Sequence, residues 1–308
     1  MRGQTPVESE NPRLPDAIAQ RPLIWRGEFK VHSYDVDFKK GATMESLCRH
    51  FQEAAWNHAE DLGVGYQRLL AANRIWVLSR LLLKVEQLPR WGETVTICTW
   101  PRAARSVFAM RDFEMFDSAG VRLVAGTSAW LVLDTNTHKP QRVDKIVSAI
   151  TSLPTKRALD EEPGKLAGCL AGPQSAGTQG QLVGGVGTAR PQAGSSKREL
   201  AGDEPSPPLP AAPLGSAIAS VTVRYSDIDV NGHVNNSRYV GWIMDSYPVE
   251  YHRNHSVFSL EANYLGETIG GDAITILSKE AGPCEYWHSV VKAGGGEVCR
   301  ARVKWVNC

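Results

Sequence analysis

A chain of 308 residues has room for two domains of ordinary size. Its 42% hydrophobic and 22% charged residues exclude a disordered polyelectrolyte, and a formal net charge of +1 gives no general attraction to nucleic acid or to an anionic membrane. Six scattered cysteines (Cys48, Cys98, Cys169, Cys284, Cys299 and Cys308) form no C-x-x-C pair, so neither a metal site, a cofactor site nor a disulfide framework is expected.

Residues 1–24 have no apolar run long enough for a signal peptide, and Glu8, Glu10 and Asp16 argue against an acid-poor transit peptide. They are expected to form a flexible tail. The longest apolar stretches, such as that around Leu81–Leu83, are too short to span a bilayer. With scattered thiols suited to a reducing compartment, the expected location is the cytoplasm.

Residues 25–150 read as one unit. Gly27–Phe38 predicts a strand and Thr43–Asp61 a helix, with Leu47, Phe51, Ala54 and Ala55 near helical spacing. Strands are predicted near Ile75–Gln87, Glu93–Trp100, Ser106–Asp117 and Val121–Asp134. Residues 151–217 have no aromatic side chain and are dominated by Gly, Ala, Pro, Ser and Gln. They are expected to be a disordered linker that buries too little apolar surface to offset its ordering entropy.

The order then repeats over residues 218–308. Ala219–Ser226 predicts a strand and Asn236–Arg253 a helix that Pro248 kinks or ends early. Strands follow near Ser256–Leu265, Asp272–Glu280, Glu285–Ala293 and Glu297–Val306, the last two joined by a turn at Gly294–Gly296. Two local echoes sit at matched places in the units: Tyr34-Asp35-Val36-Asp37 against Ser226-Asp227-Ile228-Asp229, and Trp91–Ile97 against Gly270–Ile276. A strand, one long helix and a meander, twice over, predict an α+β double hotdog: two antiparallel sheets, each wrapped around a long central helix.

The stretch from Val223 to Tyr239 carries the chemistry. Asp229, Asn231 and His233 alternate at i, i+2 and i+4, which places a carboxylate, an amide and an imidazole on one face of an extended segment. Gly232 permits a sharp turn, and Asn235 or Asn236 can cap the helix that follows. The same residue types also serve merely to build a turn and a cap, and residue type alone does not separate the two readings.

This stretch resembles the D-x-N-x-H motif, in its setting RYSDxDxNxHVNNxxY, of the plant and bacterial acyl-acyl-carrier-protein thioesterases. The resemblance extends to Phe51–Ala55, Trp76–Arg80, Pro89–Thr94, Thr99–Pro101 and Ser128–Val132. It implies a tandem hotdog enzyme that hydrolyses fatty acyl thioesters of acyl carrier protein, with catalysis in the C-terminal unit and an acyl pocket in a non-catalytic N-terminal one. It places Glu267 at the family's glutamate. Thr268 stands where a cysteine often follows, so a cysteine nucleophile is not expected. Thr268 and Asn236 are supporting candidates, and Asp229 is expected to orient His233.

Candidates for the acyl pocket are Met44, Leu47, Phe51 and Ala55, with Ala54 and Trp56 beside them. In the N-terminal echo Lys39 stands opposite Asn231 and Gly41 opposite His233, so that unit should be silent. Arg224, Arg238, Lys39, Lys40, Arg102 and Arg105 are candidates to meet the acidic carrier protein. Competing readings are an acyl-CoA thioesterase of the same fold and a non-catalytic acyl-binding hotdog module. The chain is expected to be a monomer or homodimer, with no nucleic-acid partner and no stable membrane insertion.

Overall fold

Strand β1 (Trp25–Lys30) turns Trp25, Gly27 and Phe29 inward and its charged residues outward, the period-two alternation of a half-buried strand. Helix α1 (Met44–Asp61) starts at Thr43, whose side chain accepts from Ser46 N–H, and buries Met44, Leu47, Cys48, Phe51, Ala54, Ala55 and His58. A short helix α2 (Tyr66–Ala71), absent from the sequence reading, follows. Strands β2 (Arg74–Val85), β3 (Thr94–Arg105), β4 (Phe108–Phe116) and β5 (Arg122–Asp134) complete the first half, and one turn of helix, α3 (Val143–Ile146), follows them.

The second half contains β6 (Ser216–Thr222), α4 (Asn236–Asp245), α5 (Val249–Asn254), β7 (His255–Tyr264), β8 (Ala273–Gly282), β9 (Glu285–Lys292) and β10 (Glu297–Asn307). The single helix expected over Asn236–Arg253 is two, because Pro248 cannot continue the first and serves as N-cap of the second. The computed structural model describes residues 23–146, 150, 152–169 and 216–307.

The strand order is β1-β3-β4-β5-β2-β7-β10-β9-β8-β6. Read from either end, the same topology appears: first, third, fourth, fifth and second strand of each half. The expectation of two separate sheets is corrected here. Arg80–Lys84 of β2 pair antiparallel with Ser259–Asn263 of β7, so the halves merge into one ten-stranded sheet. Each half alone would leave one of these strands as an edge with unpaired backbone groups, and pairing them removes both edges. The two long helices pack together on the inner face. Gly241 faces the Glu45 side chain across this contact: a Cβ there would lie 2.4 Å from the carboxylate, which would have to shift.

The linker reading also needs correction in part. Residues 152–169 cross the outer face of the sheet as an ordered strap. Ala158 N–H donates to Asp112, Gly164 N–H to Glu261, Leu166 N–H to Asn263 and Cys169 N–H to Ser289. Ala158 and Leu159 cover Leu82, Trp100 and Ala125. Apolar content predicts disorder here because the strap is held mainly through its backbone, by polar side chains of β4, β7 and β9. The rest of the linker and the tail, residues 170–215 and 1–22, lie outside the described residues.

In the second half Tyr247, Tyr251, Tyr286 and Trp305 form an aromatic cluster, with Tyr247 and Trp305 ring centres 4.7 Å apart, and the Tyr247 hydroxyl lies 2.7 Å from the buried His288 Nε2. Burial pulls the His288 pKa down from 6.5 to about 3. The unfolded chain therefore takes up a proton near pH 6.5 that the folded chain refuses. The stability this group confers is complete above pH 6.5 and is lost as pH falls toward 3, at up to about 1.4 kcal/mol per unit. Thermal melts between pH 7.5 and 5 should show this slope, and His288→Gln should flatten it.

Candidate active site

The segment between β6 and α4 is a tight loop built by its own hydrogen bonds. Asp229 N–H donates to the His233 carbonyl at 2.8 Å, Gly232 N–H donates to the Asp229 carbonyl at 3.0 Å, and Gly232 turns the chain at φ +80°. Asn235 caps α4 by accepting from Ser237 N–H. Asp227, buried beneath the loop, accepts from Arg224 N–H and from Arg238 Nε, both at 2.7 Å. Arg238 reaches on to Glu45 of α1 at 2.7 Å and so ties the loop to the other half. Arg238→Ala leaves the Asp227 carboxylate short of a partner and should lower unfolding stability by about 1–3 kcal/mol, read from denaturant melts.

His233 Nε2 lies 3.3 Å from Glu267 Oε2, and both side chains are partly exposed. These two and Asn231, Asp229 and Asn236 line one side of a cavity of about 750 Å³, within the roughly 300–1,000 Å³ range of small-molecule sites. The cavity runs under the first half, where α1 supplies Gln52, Ala55, Trp56 and Ala59. Those four fall at i, i+3, i+4 and i+7, a single helix stripe.

The expected pocket residues are therefore only partly right. Ala55 and Trp56 line the cavity. Met44, Leu47 and Ala54 sit in the core, and Phe51 borders only a separate void of about 20 Å³. The core stripe and the cavity stripe are neighbours on α1 and share Ala55, and apolar spacing alone shows only the first. Trp76, Arg111, Trp130, Tyr239 and Tyr264 also line the cavity and were not foreseen.

Residues 22–150 match the acyl-ACP thioesterase N-terminal domain and residues 213–307 the C-terminal domain of the same family. The chain belongs to the acyl-ACP thioesterase family. It is 26% identical over 94% of its length to a chloroplastic acyl-[acyl-carrier-protein] hydrolase of Cuphea viscosissima, and spans 64% of that protein. To a chloroplastic dodecanoyl-[acyl-carrier-protein] hydrolase of Cinnamomum camphora it is 27% identical, over 95% of this chain and 70% of the relative. Among solved structures, an acyl-ACP thioesterase from Bacteroides thetaiotaomicron superposes with a TM-score of 0.71 at 26% identity, covering 92% of this chain and 98% of that one. The 12:0-ACP thioesterase from Umbellularia californica superposes at 0.70 and 24%, covering 94% and 99%.

Within this chain the two halves permit a comparison of loops. Asp37 N–H donates to the Gly41 carbonyl as Asp229 N–H does to that of His233, and Asp37 Oδ1 accepts from Lys39 N–H as Asp229 Oδ1 does from Asn231 N–H, each at 2.8 Å. Ala42 N–H donates to Pro89 as Val234 N–H does to Thr268, which sets Leu88 opposite Glu267. So Lys39, Gly41 and Leu88 replace Asn231, His233 and Glu267, while the aspartate is kept. The expectation that Asp229 orients the His233 side chain finds no bond between the two side chains; only the backbone N–H of Asp229 meets the His233 carbonyl. The Asp229 carboxylate fixes Asn231, through the backbone N–H and, at 3.5 Å, the side-chain amide.

Thr268 is fully buried, does not line the cavity, and bonds the Tyr239 hydroxyl at 2.7 Å. Burial raises that Tyr239 hydroxyl to about 12. Thr268 thus anchors the loop and is not placed to attack. Of the basic candidates, Arg102 is buried against Asp112 and Glu162, Arg238 is paired as above, and Lys39 caps the carbonyls of His252 and His255. Arg224 is exposed, and the Arg105 side chain lies outside the described residues.

Proposed function

We propose that this chain hydrolyses the thioester of fatty acyl-ACP and releases the free fatty acid, ending elongation. The observation that carries the reading is the His233–Glu267 pair, 3.3 Å apart, on the wall of a cavity of about 750 Å³. The pair takes a proton from water as its oxygen bonds to the carbonyl carbon, and the C–S bond then breaks, with the thiol leaving protonated. The Asn231 amide, held by Asp229, directs the water or the carbonyl. Asn235 occupies the N–H groups of Ser237 and Arg238 and leaves that of Asn236, at the positive end of α4, for the developing oxyanion. The acyl chain runs along Ala55 and Ala59 of the silent half.

The deciding experiment is incubation with a ladder of acyl thioesters on acyl carrier protein and on CoA, with the freed acids identified. Faster release from the carrier protein is expected. Equal or faster release from CoA would favour the acyl-CoA reading, and binding without release would favour a non-catalytic module.

A further inference from the structure

Gln52 heads the stripe of α1 that lines the cavity, ahead of Ala55 and Ala59, and the proposed reaction does not use it. It also lines the separate void of about 20 Å³, together with Asn236 and Ser237 from the first turn of α4. A void hardly larger than one water keeps its lining residues within side-chain reach of one another. Gln52 therefore stands where the open stripe of α1 meets the N-terminus of α4. The residue is half-buried, and among the described residues its side-chain amide makes no hydrogen bond and is not sealed in the core, so it opens on the cavity. Nearby polar groups are engaged: the Asn235 side chain caps α4, the Tyr239 hydroxyl bonds Thr268, and Asp229 holds Asn231.

The two halves supply a control. Counting on from the N-caps Thr43 and Asn235, Gln52 corresponds in chain position to Met244. Lys39 of the silent loop bonds the His252 carbonyl, and His252 in turn bonds the Met244 carbonyl. The loop with the reacting groups thus meets a helix that bears an amide, and the silent loop lies near one that bears a thioether. Methionine fills irregular apolar space at either place, so the glutamine answers a polar demand that one site alone makes. Attack of water on the thioester carbon moves negative charge onto the carbonyl oxygen, and the single N–H of Asn236 serves that charge with one donor. A carboxamide offers two N–H donors, stays neutral at any working pH, and is less costly to hold in an apolar channel than a cation. Resting on the thioesterase reading above, we infer that the Gln52 side-chain amide donates to the thioester oxygen beside Asn236 N–H, so the first half contributes a catalytic residue as well as the chamber.

The test is Gln52→Met, which keeps the side-chain length and copies the residue of the second half. Steady-state kinetics on acyl-ACP are paired with titration of two uncleavable pantetheine analogues of the same chain length. One is a thioether, which has no carbonyl oxygen; the other is a trifluoromethyl ketone, whose hydrate has the tetrahedral shape of the addition product. In the variant kcat should fall about 10²–10³-fold with little change in KM, and affinity for the trifluoromethyl ketone should fall by a similar factor while that for the thioether holds. Should Gln52→Met not fold, the isosteric Gln52→Glu, which puts oxygen acceptors in place of the N–H donors, carries the same expectation. An undiminished kcat in the folded variant overturns the inference. So does an equal loss of affinity for both analogues, which would make Gln52 a wall of the channel only. A wild-type protein that cleaves no thioester ends the hydrolytic reading and this inference with it, whereas a cleaving wild type with an equally fast variant ends this inference alone.

Discussion

Glu267→Gln should lower kcat/KM on acyl-ACP by about 10²–10⁴-fold, and His233→Ala by a similar factor, with the fold intact in both. The two side chains face one another at 3.3 Å and are partly exposed, so neither is needed to seal the core. Because they act on one proton, the double variant should be little worse than the poorer single one. Matching far-ultraviolet spectra and melting points would show that the losses are chemical. A folded His233→Ala protein with near-normal turnover would end the assignment. Asp229→Asn offers a contrast: the amide oxygen can still accept from Asn231 N–H, so most activity should remain.

Ala59→Tyr should shorten the longest chain released, with a loss of more than about a hundredfold on chains that formerly reached past it, and little change on the shortest. The reason is visible within the protein. Counting on from the N-caps Thr43 and Asn235, Ala55 and Ala59 correspond in chain position to Tyr247, between α4 and α5, and Tyr251 of α5. The β4 and β9 registers likewise bring Arg111 to Tyr286. Where the first half has two alanines and a void, the second has tyrosines stacked among Trp305 and His288. The variant copies one of these fillings into the open half. An unchanged product profile would show that the acyl chain does not follow α1.

Much of this was legible in the sequence. Alternation located nearly every strand, and the turn and cap residues around Gly232 and Asn235 fixed the loop that presents His233. The repeat of Tyr34–Asp37 at Ser226–Asp229 gave the duplication, and the resemblance supplied Glu267, which no local pattern marks. What was hidden depends on contacts between distant segments. The union of β2 with β7 follows from two edges that look like ordinary strands. The strap over the sheet is held by backbone donors, which composition cannot register. The turn aspartate occurs in both halves, and the matching bonds of Asp37 and Asp229 mark it as a turn former rather than a partner of the imidazole.

The shared sheet has a practical consequence for dissection. The loop proposed to react belongs to one half, while most of the cavity wall it faces is supplied by the other. Separate expression of either piece would thus yield a catalyst without a substrate chamber or a chamber without a catalyst. Transplanting the first half between relatives should instead carry chain-length preference with it and leave the chemistry behind.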